Sequence, residues 1–426
     1  MDQALLEFTV AHPELALAKA ERPAEQVLDD MLTRSADVDV FIMDMTEGAG
    51  AYEALLTRGY MLPLDGRAAL REFCGRMYPG IQRWMSAEGE FVALPIQVYG
   101  RRLGVSEALL GRLDLTLSDV PDTWMGFLEF LEDDIQPRLD RLGPDAGLTY
   151  GDLKALDFRF YLRMQLLEDW TQAARAAGVA ADYGDERLLQ LLEKVDGLDY
   201  AALGLEEGAS GDWETGGHGY SYGSEDRYLI QFSAPCDLQE PEQTGTPLLL
   251  GFGEDLPGAM ALNVCAAFIN PYTAHPEAAL DLMETLLKHL PEPTRYALCP
   301  DLTEPLLRPE AEQALEDYRR EIDRLRSALE GAEPSDRQLL EAELAQEERL
   351  LESYEARWKW LVAPGQLQWY RANGSRLTAL APDWFDQDSS GEAYELMRQY
   401  DADLIDARQF LAAVSQKARM MALEAG

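Results

Sequence analysis

Between Asp37 and Gly66 the chain reads DVDVFIMDMTEGAGAYEALLTRGYMLPLDG. Val38 and the run Val40 to Met43 are nearly continuous in apolar character and rich in β-branched and aromatic residues, the pattern of a strand buried on both faces. Small and polar residues then break the run. From Ala51 the apolar positions Tyr52, Leu55 and Leu56 recur at helical spacing until Gly59 and Pro63 end the helix. Strand, loop and helix make half of a βαβ unit. In open parallel sheets ligands sit at the carboxyl ends of the strands, which makes the loop from Asp44 to Gly50 a candidate site; the plain alternative is an ordinary connection.

A second apolar run, EFVALPIQVYG from Glu90 to Gly100, carries Pro95 in its middle. Proline cannot donate to a ladder, so this run predicts an edge strand or one that crosses between domains. Helical periodicity dominates afterwards, over Leu109 to Leu117, Trp124 to Ile135, Leu153 to Ala177 and Glu186 to Val195. Asp122 or Thr123 offers an oxygen to cap the second of these. The stretch 205–226, LEEGASGDWETGGHGYSYGSED, lacks periodicity and reads as a long loop of the kind that is often functional. Tyr228 to Phe232 and Thr246 to Phe252 read as strands, Ala259 to Ile269 as an apolar run, and His275 to His289 as an amphipathic helix after an Asn270-Pro271 turn.

The most legible local pattern lies near residues 310–361. Leu315, Tyr318, Ile322, Leu325 and Leu329 alternate spacings of three and four, and Leu344, Leu351, Tyr354 and Trp358 keep the frame with Glu347 as its polar interruption. Gly331, Pro334 and a Ser335-x-x-Gln338 capping box lie between them. Two helices joined by so short a turn pair antiparallel, which predicts an inserted hairpin packed on its own domain.

Size and charge narrow the picture. A chain of 426 residues exceeds the length at which single cores stop growing, so two domains are expected. Its 37 basic and 77 acidic residues give a net charge of −40, a field that repels nucleic acid and anionic lipid and excludes both as expected partners. Cys74, Cys236, Cys265 and Cys299 form no CxxC pair, and the four histidines are scattered, so neither a disulfide framework nor a metal cluster is expected. No run of ~18 apolar residues spans a membrane. The start, MDQALLEFTVAHPELAL, is amphipathic and acidic rather than a signal peptide, so the chain is expected to be either cytoplasmic or a piece of something longer.

Catalytic signatures are lacking: there is no GxSxG, GxxxxGK[ST] or HExxH, and no cofactor is expected. Carboxylate pairs are too frequent in so acidic a chain to single out a glycosidase. Asp386, Asp388 and Ser390 imitate the start of a calcium loop, but Met397 stands where a bidentate Glu is required, so the reading there is an Asx turn. Aromatics in loops, including Tyr52, Tyr99, Trp213, Tyr220 and Tyr222, are suited to sugar rings and other partly polar ligands.

Taken in order, Phe8-x-x-x-His12-Pro13, DVDVFIMD, GYMLPLD, MYPGI, EFVALP, VPDTW, FINPYTAHPEAALDLMETLL and the final DADLIDARQFLAAVSQKARMMALEAG resemble the family 1 extracellular solute-binding proteins of ABC importers, across nearly the whole chain. The resemblance implies an α/β, helix-rich, two-lobed periplasmic-binding-protein-like fold of type II with the helical hairpin inserted. The expected divisions are 1–100 as the first lobe with part of 255–305 returning to it, 101–255 as the second, 308–361 as the hairpin and 362–426 as helices closing the lobes. It implies no chemistry on the ligand. Two departures stand out: the family begins with a strand before the first helix, and with a signal and lipoprotein cysteine, and only Met1 to Ala4 precede the helical motif here.

Carried over by position, the loop after DVFIMD makes Asp44, Met45, Thr46 and Glu47 candidates at the cleft edge. EFVALPIQVYG adds Gln97 and Tyr99, YLIQFSA adds Phe232 and Ser233, and the loop aromatic Trp213 completes the set. Pro121, Thr123 and Trp124 match a structural helix start. The resemblance further implies a monomer that carries a small molecule, a sugar or oligosaccharide, to a membrane permease from an extracellular, periplasmic or tethered position. The alternative is a sensory or interaction module on a decayed binding fold, with the hairpin as partner surface.

Overall fold

A computed structural model describes residues 1–45, 50–143, 145–150, 153–208, 227–239, 245–380 and 391–425. The chain first lays down α1 (Asp2–Ala11), α2 (Ala24–Leu32), β1 (Val40–Asp44), α3 (Ala51–Thr57), α4 (Ala68–Arg76), α5 (Pro79–Met85), the short pair β2 (Ser86–Ala87) and β3 (Glu90–Phe91), and β4 (Ala93–Tyr99). It crosses into β5 (Arg101–Ser106), α6 (Glu107–Arg112), α7 (Trp124–Phe130), α8 (Ala155–Ala176), α9 (Glu186–Asp196), β6 (Ile230–Pro235) and β7 (Gly245–Pro247). The return comprises β8 (Met260–Ile269), α10 (Pro276–Lys288) and α11 (Glu292–Leu298). Then come β9 (Leu306–Leu307), α12 (Ala311–Glu330), α13 (Pro334–Ser353), β10 (Trp360–Val362), α14 (Pro364–Ala372), β11 (Leu377–Ala379), α15 (Glu392–Asp401) and α16 (Ala407–Ala425).

Two hydrophobic cores organise these elements. One gathers residues of α1 to β4, β8 to α11, α14 and β11, and the other gathers residues of β5 to α9, the strand β6, α15 and α16. The C-terminal stretch therefore divides between the lobes, α14 and β11 with the first and α15 and α16 with the second. This is the two-lobed periplasmic-binding-protein-like fold.

In the first lobe β8 is central, with β1 and β4 antiparallel on its two sides and β11 parallel to its start. The expectation of a parallel βαβ start is thus corrected: β1 meets an antiparallel neighbour. Nor is β1 buried on both faces. Among the described residues it pairs with β8 alone, and Ile42 is 41% exposed between buried Phe41 and Met43, beside an open groove. Pro95 lies where the β4–β8 register shifts, a position where its missing N–H interrupts no ladder. The second lobe holds the sheet β6-β5-β7.

Thr123 caps α7, its Oγ1 accepting from the Gly126 N–H at 3.3 Å. Helices α12 and α13 pack on each other, with Ile322 and Leu325 buried and Tyr318 against Tyr354 at 5.4 Å between ring centroids. The capping box is a correction. Helix α13 starts at Pro334 with Glu333 as its N-cap and no side-chain cap, so Ser335 falls inside the helix rather than at its cap.

Candidate functional site

Gly100 is the one residue between β4 of the first lobe and β5 of the second. Its carbonyl accepts from the Cys236 N–H at 3.0 Å, and its own N–H donates to the Asp237 carboxylate at 2.7 Å. A Cβ at this position would lie 2.5 Å from Cys236 Sγ and 2.8 Å from a Leu262 methyl, so only glycine fits. Two crossing segments therefore touch here. Burial pushes the Cys236 thiol up to about 12, which keeps it neutral and inert at the crossing.

On the first-lobe side, strand geometry decides which side chains face out. Asp44 of β1 and Gln97 of β4 both oppose Cys265 of β8, and Tyr99 opposes Asn263. Residues directly opposite one another in antiparallel strands share a face, so these five stand together. Gln97 is exposed and the other four are half-buried, whereas the intervening Met43, Val98 and Val264 are buried beneath. The Tyr99 hydroxyl donates to the Asp44 carboxylate at 2.8 Å. Asn263 Oδ1 is buried and has no hydrogen-bond partner among the described residues, and a buried acceptor left so costs about 1–3 kcal/mol.

The second-lobe side is aromatic. Phe232 of β6 packs edge-on to Phe158 and tilted to Tyr161, at 5.2 and 5.3 Å between centroids, and Tyr150 lies 4.9 Å from Tyr228. Ser233 Oγ and the Tyr150 hydroxyl share a hydrogen bond of 3.0 Å. Arg101, the residue after Gly100, donates to the Ser233 carbonyl at 3.2 Å, which ties this wall to the crossing. A second link between the lobes is an ion pair of 3.6 Å from Arg175 of α8 to Glu53 of α3.

Several sequence expectations change. Met45 is 3% exposed, because it falls on the same strand face as Met43 and points into the core, so it leaves the candidate set. Tyr52 is likewise buried, its hydroxyl donating to the Trp84 carbonyl. Helix α3 begins after Gly50, its N-cap, in a left-handed conformation. Thr46, Glu47, Trp213, Tyr220, Tyr222 and the Asp386 to Ser390 stretch lie outside the described residues. Sequence reasoning missed Asn263 and Cys265. Their signal was two less apolar residues at alternate positions of the run from Ala259 to Ile269.

Carboxylate, amide and hydroxyl groups on one wall and aromatic faces on the other suit a polar ligand with apolar patches, held by hydrogen bonds and stacking. No protein-family model matches the sequence, and no curated protein matches it. Solved structures do match in fold. The sugar-binding protein MalE from Xanthomonas citri is 15% identical with a TM-score of 0.52, covering 99% of this chain and 94% of that one. A chitin oligosaccharide binding protein is 12% identical with a TM-score of 0.51, covering 100% and 95%. The cyclic alpha-maltosyl-1,6-maltose binding protein from Arthrobacter globiformis is 13% identical with a TM-score of 0.50, covering 99% and 95%.

Proposed function

We propose that this chain is a solute-binding protein that captures a carbohydrate between its lobes and delivers it to an ABC-type importer. What supports this reading is a polar sheet face on the first lobe, whose strand β4 ends one residue before the crossing, together with an aromatic cluster on the second lobe that Arg101 ties to the same crossing. Sugar rings present hydroxyls at their edges and C–H groups on their faces, so one wall accepts and donates hydrogen bonds while the other stacks. The names of the three neighbours given above, a sugar-binding, a chitin oligosaccharide binding and a cyclic alpha-maltosyl-1,6-maltose binding protein, support the ligand class. In this reading the candidates are Asp44, Gln97, Tyr99, Asn263, Phe232 and Ser233, joined by Thr46, Glu47 and Trp213 from the sequence. The protein acts as a monomer outside the cytoplasmic membrane, no chemistry is done on the ligand, and a permease receives it.

The test is a thermal-shift screen of sugars, oligosaccharides and peptides, since a ligand that binds only the native state raises its melting temperature. Saturation with a hit is expected to compact the molecule in small-angle scattering as the lobes close about Gly100. Absence of any saccharide hit would sink the reading. The second reading, a sensory or interaction module, draws on the hairpin α12–α13, which packs on itself; it gains if peptides alone produce a shift.

A further inference from the structure

Helix α8 runs past the crossing between the lobes, and its start, middle and end touch different things. Near its start Phe158 and Tyr161 pack on Phe232 in the aromatic wall. Its middle lies at the crossing: Asp169 holds Arg102, and the Cys236 thiol beside Gly100, raised first by its burial, also feels the charges of Arg102 and Glu168. In its last turn Arg175 reaches back to the first lobe, with Nη1 3.6 Å from Glu53 Oε2 of α3, while its carbonyl accepts from Arg83 Nη2 of α5 at 3.4 Å. At ~1.5 Å per residue the wall contacts stand roughly 12–17 Å along the helix to one side of Asp169, and Arg175 stands about 9 Å to the other.

Helices α3 and α5 lie behind the first-lobe sheet. Tyr52, the neighbour of Glu53, packs edge-on to Phe268 at 6.2 Å and donates to the Trp84 carbonyl at 2.9 Å, one residue from Arg83. Phe268 falls at odd spacing from Asn263 and Cys265 along β8, so its side chain leaves the opposite face of the sheet from the polar set. One end of α8 thus carries the aromatic wall, and the other grips helices on the face away from Asp44, Gln97 and Tyr99. A rigid helix held at its middle moves its ends in opposite senses. Rotation about the crossing that carries the aromatic wall toward the polar face therefore draws Arg175 away from Glu53.

We propose that the Arg175–Glu53 pair is a counter-latch, which holds the lobes apart at rest and releases as they close, so that it lowers the affinity of the cleft. The effect on affinity rests on the reading above, which places the ligand against the polar face; the lobe motion itself is measurable without any ligand. The side chains of the pair are 27% and 46% exposed, and an exposed ion pair shifts an equilibrium only about two- to fivefold. It biases the lobes without locking them.

The test starts from Arg175→Glu in the full chain, which replaces the attraction by repulsion from Glu53. In small-angle scattering at low salt the ligand-free variant is expected to be more compact than the ligand-free native chain, at an unchanged melting temperature. The exchanged pair, Glu53→Arg with Arg175→Glu, restores both the attraction and the net charge and is expected to return to the native radius of gyration. Maltotriose and chitotriose serve as saccharide probes: whichever binds the native chain should bind Arg175→Glu at least twofold more tightly and the exchanged pair as the native chain does. Expansion or an unchanged radius in Arg175→Glu overturns the latch, whether or not a saccharide binds, and so does compaction that the exchanged pair fails to reverse. Weaker saccharide binding by Arg175→Glu overturns it too, since the pair would then hold the lobes together. Compaction without any saccharide hit upholds the latch and sinks the ligand reading alone.

Discussion

The Tyr99 hydroxyl reaches past the central strand β8 to donate a 2.8 Å hydrogen bond to Asp44, tying the two flanking strands β4 and β1 on one face of the sheet. Both groups belong to the cleft candidates, and neither supports the core beneath. Tyr99→Ala and Asp44→Asn are therefore expected to weaken the ligand found in the thermal-shift screen about tenfold or more, roughly 1.4 kcal/mol. The melting temperature of the free protein should stay nearly constant, because Gly50 is the N-cap residue of α3. Calorimetric titration beside a melting curve checks both halves, and unchanged affinity in the two variants would remove this pair from the site.

Cys265 offers a footprint of the same face. It is half-buried, while Cys74, Cys236 and Cys299 are buried and their thiols are pushed by burial up to about 12, 12 and 11. Since the thiolate is the reacting form, a maleimide should label Cys265 first and the other three only on unfolding. Saturating ligand is expected to slow that labelling. Mass spectrometry of digested samples reads the site directly, and labelling insensitive to ligand would place Cys265 away from it.

Gly100→Ala should disturb the crossing more than its size suggests. The new methyl meets Cys236 Sγ and Leu262 at distances that force a shift, a cost of about 1–3 kcal/mol. Cys236→Ala in the same chain relieves one of the two clashes, so the double variant should recover part of the stability. A thermodynamic cycle from denaturant melts measures that coupling, and strict additivity would show that the methyl is accommodated elsewhere.

Arg102, two residues past Gly100, is fully buried and ion-paired with buried Asp169 of α8, which also accepts from Trp124 Nε1 at 3.2 Å and Gln165 Nε2 at 3.0 Å. Asp169→Ala leaves a buried guanidinium without its counter-charge and should cost about 3–5 kcal/mol. Replacing both partners by apolar residues should cost far less. Urea titrations of the single and double variants separate a paired charge from mere packing.

Replacing 312–356 by a short Gly-Ser linker is expected to leave a cooperative fold, because Ile322, Leu325 and the Tyr318–Tyr354 contact bury the arms on each other. Retained ligand binding would show that the hairpin is no part of the cleft. Insoluble product would instead show that it completes a lobe.

Periodicity in the sequence was enough for the local elements. The three-four spacing from Leu315 to Leu329 specifies a helix whatever surrounds it, and Pro95 excludes a central strand through chemistry of its own. The same holds for Thr123, which caps its helix with an oxygen one turn away. Pairing was beyond its reach. The run Val40 to Met43 is apolar enough for a buried strand, yet only tertiary structure made β8 its antiparallel neighbour and left Ile42 at an open edge. The face of a side chain depends on register, which is why Met45, adjacent to Asp44 in sequence, belongs to the core. Asn263 and Cys265 entered the site for the same reason, carried there by a strand more than 160 residues further along, since hydrogen-bond register between distant strands is set by packing rather than by local sequence.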